Sequence, residues 1–148
     1  MPTQEKGIRR ARALPYELNV RASVSASNST VTLTFFNTGK AAAVFHVRSG
    51  NPADAVRYYT VEPNKKLSGT WSVAATYDLS VYGPNGFVRY FKGSIGSGAA
   101  ALDVRSTYGT QDSGSIRWRI ANLASTPAEV SVLDAYTGNL KTELLEHH

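Results

Sequence analysis

Cysteine is absent from this chain of 148 residues, so neither a disulfide framework nor a thiolate metal site is open to it, while secretion stays compatible. Histidine is nearly absent. His46 stands apart from the terminal pair His147 and His148, and a lone imidazole in mid-strand reads as a solvated side chain rather than as a zinc ligand. No apolar run approaches the length of a membrane span, and no stretch of useful length carries a helical period. Acidic residues come singly, at Glu17, Asp54, Glu62, Asp78 and Asp103, without the local spacing of a calcium loop. No Gly-x-Ser-x-Gly elbow occurs. The reading is therefore of no catalytic residues, no metal and no cofactor. Nucleic acid fits poorly too, for want of a recognition helix, an RNP-like strand or a dense basic stripe.

What the chain has is glycine (12 residues), Ser, Thr, Val and Tyr, a composition that favours β structure. Its net charge of +5 is uneven: +3 over residues 1–12, +4 over 13–95 and −2 over 96–148. A basic front permits attraction to anionic surfaces, although ordinary surface lysines explain the same numbers.

The clearest organisation lies between Trp71 and Gly93. Tyr77, Leu79 and Val81 alternate with Asp78, Ser80 and Tyr82, the period of a half-buried strand. Gly83-Pro84-Asn85-Gly86 supplies a tight turn, and Phe87 to Phe91 returns as the antiparallel partner. Earlier strands are expected at Tyr16–Ser23, Val31–Phe35, Val44–Arg48, Val56–Val61 and Lys66–Val73, each bounded by turn residues. Seven short strands at this spacing predict an all-β protein, an immunoglobulin- or fibronectin-like antiparallel β-sandwich over residues 14–95. Trp71 is expected in its core. Tyr77 is expected at a corner, with its hydroxyl bonded to nearby backbone.

Residues 1–13 read as a polar, basic linker. Beyond a glycine-rich link at Gly93–Gly98, residues 96–144 begin to repeat the chain. Leu102-Asp103-Val104-Arg105 mirrors Leu18-Asn19-Val20-Arg21, and Ile116, Trp118, Ile120 and Asn122 mirror Val31, Leu33, Phe35 and Asn37. Val130 and Val132 fall on Phe45 and Val47. This second repeat is expected to hold three strands and to be incomplete, with nothing matching Trp71–Gly93. Its uncovered apolar face predicts burial against the first repeat or a homo-oligomer through strand edges. Residues 145–148 read as the start of a histidine tag, and the chain as an expressed fragment.

Aromatic residues recur beside basic ones in Arg57-Tyr58-Tyr59 and Arg89-Tyr90-Phe91-Lys92. The plain reading is that they cover the second sheet. The sharper one is a lipid- or choline-docking surface built on Arg57, Tyr58, Arg89 and Lys92.

Two stretches carry a family resemblance. Gln4-Glu5-Lys6-Gly7-Ile8-Arg9-Arg10-Ala11-Arg12-Ala13-Leu14-Pro15-Tyr16-Glu17-Leu18 resembles the junction that follows the catalytic domain of bacterial phosphocholine-specific phospholipases C. Tyr77 to Phe87, with Arg89 and Phe91 after it, resembles the end of the C-terminal repeat of that family, in which the repeat commonly occurs twice. The resemblance implies a secreted bacterial enzyme that cleaves phosphatidylcholine or sphingomyelin through an N-terminal catalytic domain. This chain would be a non-catalytic accessory part, partnered by that domain and by a phospholipid surface. The alternative from the residues alone is a free-standing sandwich for adhesion or carbohydrate binding.

Overall fold

In the sequence Thr-Val-Thr-Leu-Thr-Phe-Phe-Asn, every second residue is apolar or amide, and the strand it forms, β2 (Thr30–Asn37), buries Val31, Leu33, Phe35 and Asn37 in turn. Around it the computed structural model, which describes residues 7, 14–96, 101–108 and 116–146, arranges two sheets. One has the order β1-β2-β5, with β1 Leu18–Ser25 and β5 Lys65–Ser72. The other has the order β4-β3-β6-β7, with β3 Ala43–Ser49, β4 Arg57–Val61, β6 Thr76–Tyr82 and β7 Val88–Ser94. All the pairings are antiparallel. The all-β sandwich expected from the sequence is what forms.

The inward residues of both sheets make one core: Val20, Val31, Leu33, Phe35, Phe45, Val47, Val61, Trp71, Leu79 and Val81 are all buried. Phe35 joins the two sheets, with its ring 4.5 Å from Tyr59 and 5.1 Å from Phe45, centroid to centroid. On the outer side of the three-stranded sheet, Thr32–Thr70 and Thr34–Ser68 hydroxyl pairs, each at 3.0 Å, tie β2 to β5. The β6–β7 connection is a single 3₁₀ turn, Pro84–Gly86, in which Asn85 and Gly86 take φ of 56° and 75°. Asparagine and glycine are the residues that tolerate this left-handed conformation in a tight turn.

The first strand starts at Leu18 rather than at Tyr16, although ahead of it the Glu17 and Pro15 carbonyls still accept from the backbone N–H groups of Thr38 and Lys40 in the β1–β2 register. The seventh runs on through Gly93 to Ser94, so Gly93 belongs to a strand and not to a link. Beyond it come β8 (Leu102–Tyr108), β9 (Ile116–Asn122), β10 (Ala128–Leu133) and β11 (Leu140–Leu145), paired β8-β9 and β10-β11. The sequence led to an expectation of three strands here and the structure has four, the last including Leu145, which had read as tag. The expected linker over residues 1–13, apart from Gly7, lies outside the described residues, as do the glycine-rich link beyond Gly96 and His147 and His148.

Candidate functional site

Period-2 alternation on the four-stranded sheet turns Phe45, Tyr59, Leu79 and Phe91 inward and Val44, His46, Arg48, Tyr58, Tyr82, Val88, Tyr90 and Lys92 outward. The register then lines these outward residues up. Tyr58 lies opposite His46, His46 opposite Tyr82, and Tyr82 opposite Val88, so one row crosses all four strands. The His46 and Tyr58 rings meet edge to face at 4.8 Å, and Tyr82 and Tyr90 do so at 6.4 Å. Arg48 places its guanidinium 5.9 Å from the centre of the Tyr82 ring. Tyr58 and Tyr90 remain 64% and 67% exposed, so these rings are surface and not a second core. A hydrogen bond with Tyr82 raises the Tyr90 pKa above the usual phenol value, with a charge effect from Tyr82 and desolvation adding to it.

The four residues singled out from the sequence fall in three places. Tyr58 belongs to the aromatic row. Lys92 shares its sheet face but is held by an ion pair to Asp78 at 3.0 Å, its register partner. Arg57 sits at the sandwich edge, donating to the Thr70 carbonyl at 2.7 Å with its guanidinium 4.7 Å above the Trp71 ring, so it closes β4 onto β5. Arg89 lies on the opposite face of β7 from Tyr90 and Lys92. It donates to the Val20 carbonyl at 3.1 Å, bonds the Ser106 hydroxyl and lies 5.4 Å from the Trp118 ring centre. Parity alone separates Arg89 from Lys92, since residues three apart on a strand face opposite ways. His46, Arg48, Tyr82 and Tyr90 complete the face, and their signal is the register of the hairpin with β3.

Trp71 is buried in the core, as the sequence led one to expect. Tyr77 packs otherwise than expected. Its ring lies across Gly93, its register partner, and no hydrogen bond of its hydroxyl to backbone is present among the described residues. Burial raises its pKa. At that end of the sandwich a shallow cleft of about 760 Å³ is lined by Trp71, Tyr77, Asp54, Asp78 and Lys92. Among the described residues no three His, Asp or Glu side chains gather as metal ligands.

Residues 10–94 match the family described as bacterial phospholipase C, C-terminal domain. A non-hemolytic phospholipase C of Burkholderia pseudomallei is 45% identical over 154 residues, covering 99% of this chain and 21% of that protein. A non-hemolytic phospholipase C of Pseudomonas aeruginosa is 41% identical over 145 residues, covering 90% of this chain and 20% of that protein. A hemolytic phospholipase C of the same organism is 32% identical over 177 residues, covering 97% and 23%. The chain thus spans about a fifth of the length of these curated relatives. The matched residues take in all of β1–β7, and on that match the chain belongs to the bacterial phospholipase C C-terminal domain family.

Proposed function

We propose that this chain is a non-catalytic accessory region of a secreted bacterial phospholipase C acting on phosphatidylcholine or sphingomyelin. Its catalytic domain lies elsewhere in the same polypeptide, and the outer face of the β4-β3-β6-β7 sheet docks on the phospholipid surface. The observation that carries the docking role is the Tyr58–His46–Tyr82 row with Tyr90 and Arg48 beside it. Tyrosine rings suit the boundary between headgroups and acyl chains, since each has an apolar body and a polar tip. Arg48 and the net charge of +5 add attraction to anionic lipid.

Sedimentation with phosphatidylcholine vesicles tests this. Weak retention is expected at low salt, stronger with anionic lipid added. The electrostatic part fades at physiological salt, where the screening length is about 8 Å. A Tyr58→Ala, Tyr90→Ala double variant should lose retention while keeping its unfolding midpoint. No retention at low salt would remove the docking role. Retention on immobilised glycans instead would favour the carbohydrate-binding alternative, to which a flat aromatic row also lends itself. Phosphocholine release by the chain that vanishes on mutating one of its residues would overturn the accessory reading.

A further inference from the structure

His46 is the one histidine among the described residues, and it stands within the outward row of the four-stranded sheet. Strand alternation exposes its ring, with Val44 and Arg48 before and after it on the same side of β3. Tyr58 of β4 meets it edge to face at 4.8 Å, and Tyr82 of β6 is its register partner on the other side. Tyr16, ahead of β1, joins His46 and Tyr82 in lining a shallow recess of about 380 Å³.

Among the described residues no carboxylate lines that recess. Glu17 and Glu62 lie on the flanking loops, and Glu62 is held by Lys65. The acid of the sheet face itself is Asp78. It sits two rows along β6 from Tyr82, about 13 Å by strand rise, and Lys92 neutralises it at 3.0 Å. Tyr90, on β7, adds a phenol and no charge. The uncompensated cation of the face is then Arg48, two residues on from His46 with its Cα about 7 Å away.

Histidine is the side chain that changes charge between mildly acidic and neutral pH, so a proton on His46 takes the row from one uncompensated positive charge to two. Where that charge falls decides its effect. The Tyr58 and Tyr82 rings have polar tips that set the row at headgroup level, so an imidazolium there stays hydrated and faces lipid phosphates rather than hydrocarbon. In the free chain Arg48 repels the incoming proton, and an anionic surface offsets that repulsion. Proton uptake and binding to anionic lipid therefore strengthen each other.

We propose that His46 makes docking of this face on anionic phospholipid pH-sensitive, tighter in mildly acidic solution and weaker at neutral pH. The inference rests on the docking role proposed above and adds its control.

The test is vesicle sedimentation of the full chain carrying His147→Asn and His148→Asn, so that no tail imidazole contributes. Affinities are compared at about pH 5.5 and about pH 7.5 on phosphatidylcholine vesicles with and without phosphatidylglycerol, and their ratio is read within each variant. On the anionic vesicles binding should tighten about fivefold in acid, the worth of one basic side chain at an anionic surface. On phosphatidylcholine alone the pH effect should vanish, because a zwitterionic surface offers the imidazolium no net charge. His46→Asn should abolish the effect. His46→Arg should bind at both pH values as tightly as the parent does in acid. A pH effect that survives His46→Asn overturns the proposal, since other groups then carry it. Retention on anionic vesicles with no pH effect in the parent overturns it as well, and leaves the docking role in place. Absence of retention at both pH values removes the docking role and this inference with it.

Discussion

At Gly69 a side chain has no room. An added Cβ would collide with the Tyr59 hydroxyl, because the Tyr59 ring crosses from β4 to lie over β5 between Phe35 and Trp71. Gly69→Ala is therefore expected to cost about 1–3 kcal/mol, as overpacking of a filled core does. Trp71→Ala removes the largest ring from the same cluster and leaves the Arg57 guanidinium without the face it covers. The expected loss is about 3–5 kcal/mol, read as a shift in the urea midpoint, and an unchanged midpoint would mean that Trp71 does not bear on the core. Tyr77 should behave differently. Its hydroxyl gains no backbone bond among the described residues, so Tyr77→Phe is expected to be nearly neutral. Its raised pKa comes from burial. The folded state therefore holds the phenol proton more tightly than the unfolded chain does. That stability is fully present below the ordinary tyrosine pKa and is lost as pH rises through the higher folded value. The Phe variant should accordingly lose less stability than the parent between neutral and strongly alkaline pH.

At the scale of elements, the hairpin of β6 and β7 was legible because two signals agreed: strict alternation in Tyr77–Tyr82, and turn residues that tolerate positive φ. β2 and β3 were legible for the first reason alone. β11 was not. Leu-Lys-Thr-Glu-Leu-Leu has no alternation, and all but its last residue are exposed, so nothing in its composition marks a core face. It is a strand because β10 pairs with it, through a Ser131–Thr142 hydroxyl contact at 2.8 Å, and because Asn122 reaches the Leu145 carbonyl. The aromatic face was half legible. Tyr58 stood out beside its basic neighbour, whereas the row it joins exists only through the register of β3 with β4 and β6. That row makes its own prediction. Tyr82→Phe removes the hydroxyl partner of Tyr90, and the Tyr90 pKa should fall back toward the usual tyrosine range. Ring-carbon NMR across an alkaline titration reads this directly, and an unmoved Tyr90 curve would show the two hydroxyls to be uncoupled.

At the scale of the whole molecule, the two repeats stand on unequal supports. The first has seven strands, a core with residues from both sheets, and the Arg57 staple across its open edge. The strands β8–β11 have only two ladders of two strands and an apolar face half open to water. Among the described residues, ties to the first repeat run from Asn19 to the Ser106 carbonyl at 3.0 Å and from Arg89 to Ser106 and over Trp118, where β8 packs beside β1. A two-stranded ribbon is marginal in water, and two of them facing one another without their outer strands gain little more. A chain ending after Gly96 should thus keep cooperative unfolding and a midpoint close to that of the full chain. Residues 97–148 alone should show neither a cooperative transition nor slow-exchanging amides. In the full chain, exchange should be slow through β2, β3 and β6 and fast through β10 and β11. Arg89→Ala should speed exchange in β8 and β9 further while moving the β2 amides little. If Arg89→Ala instead left exchange in β8 and β9 unchanged, the second repeat would stand without that tie to the first, and the dependence argued from these bonds would fail.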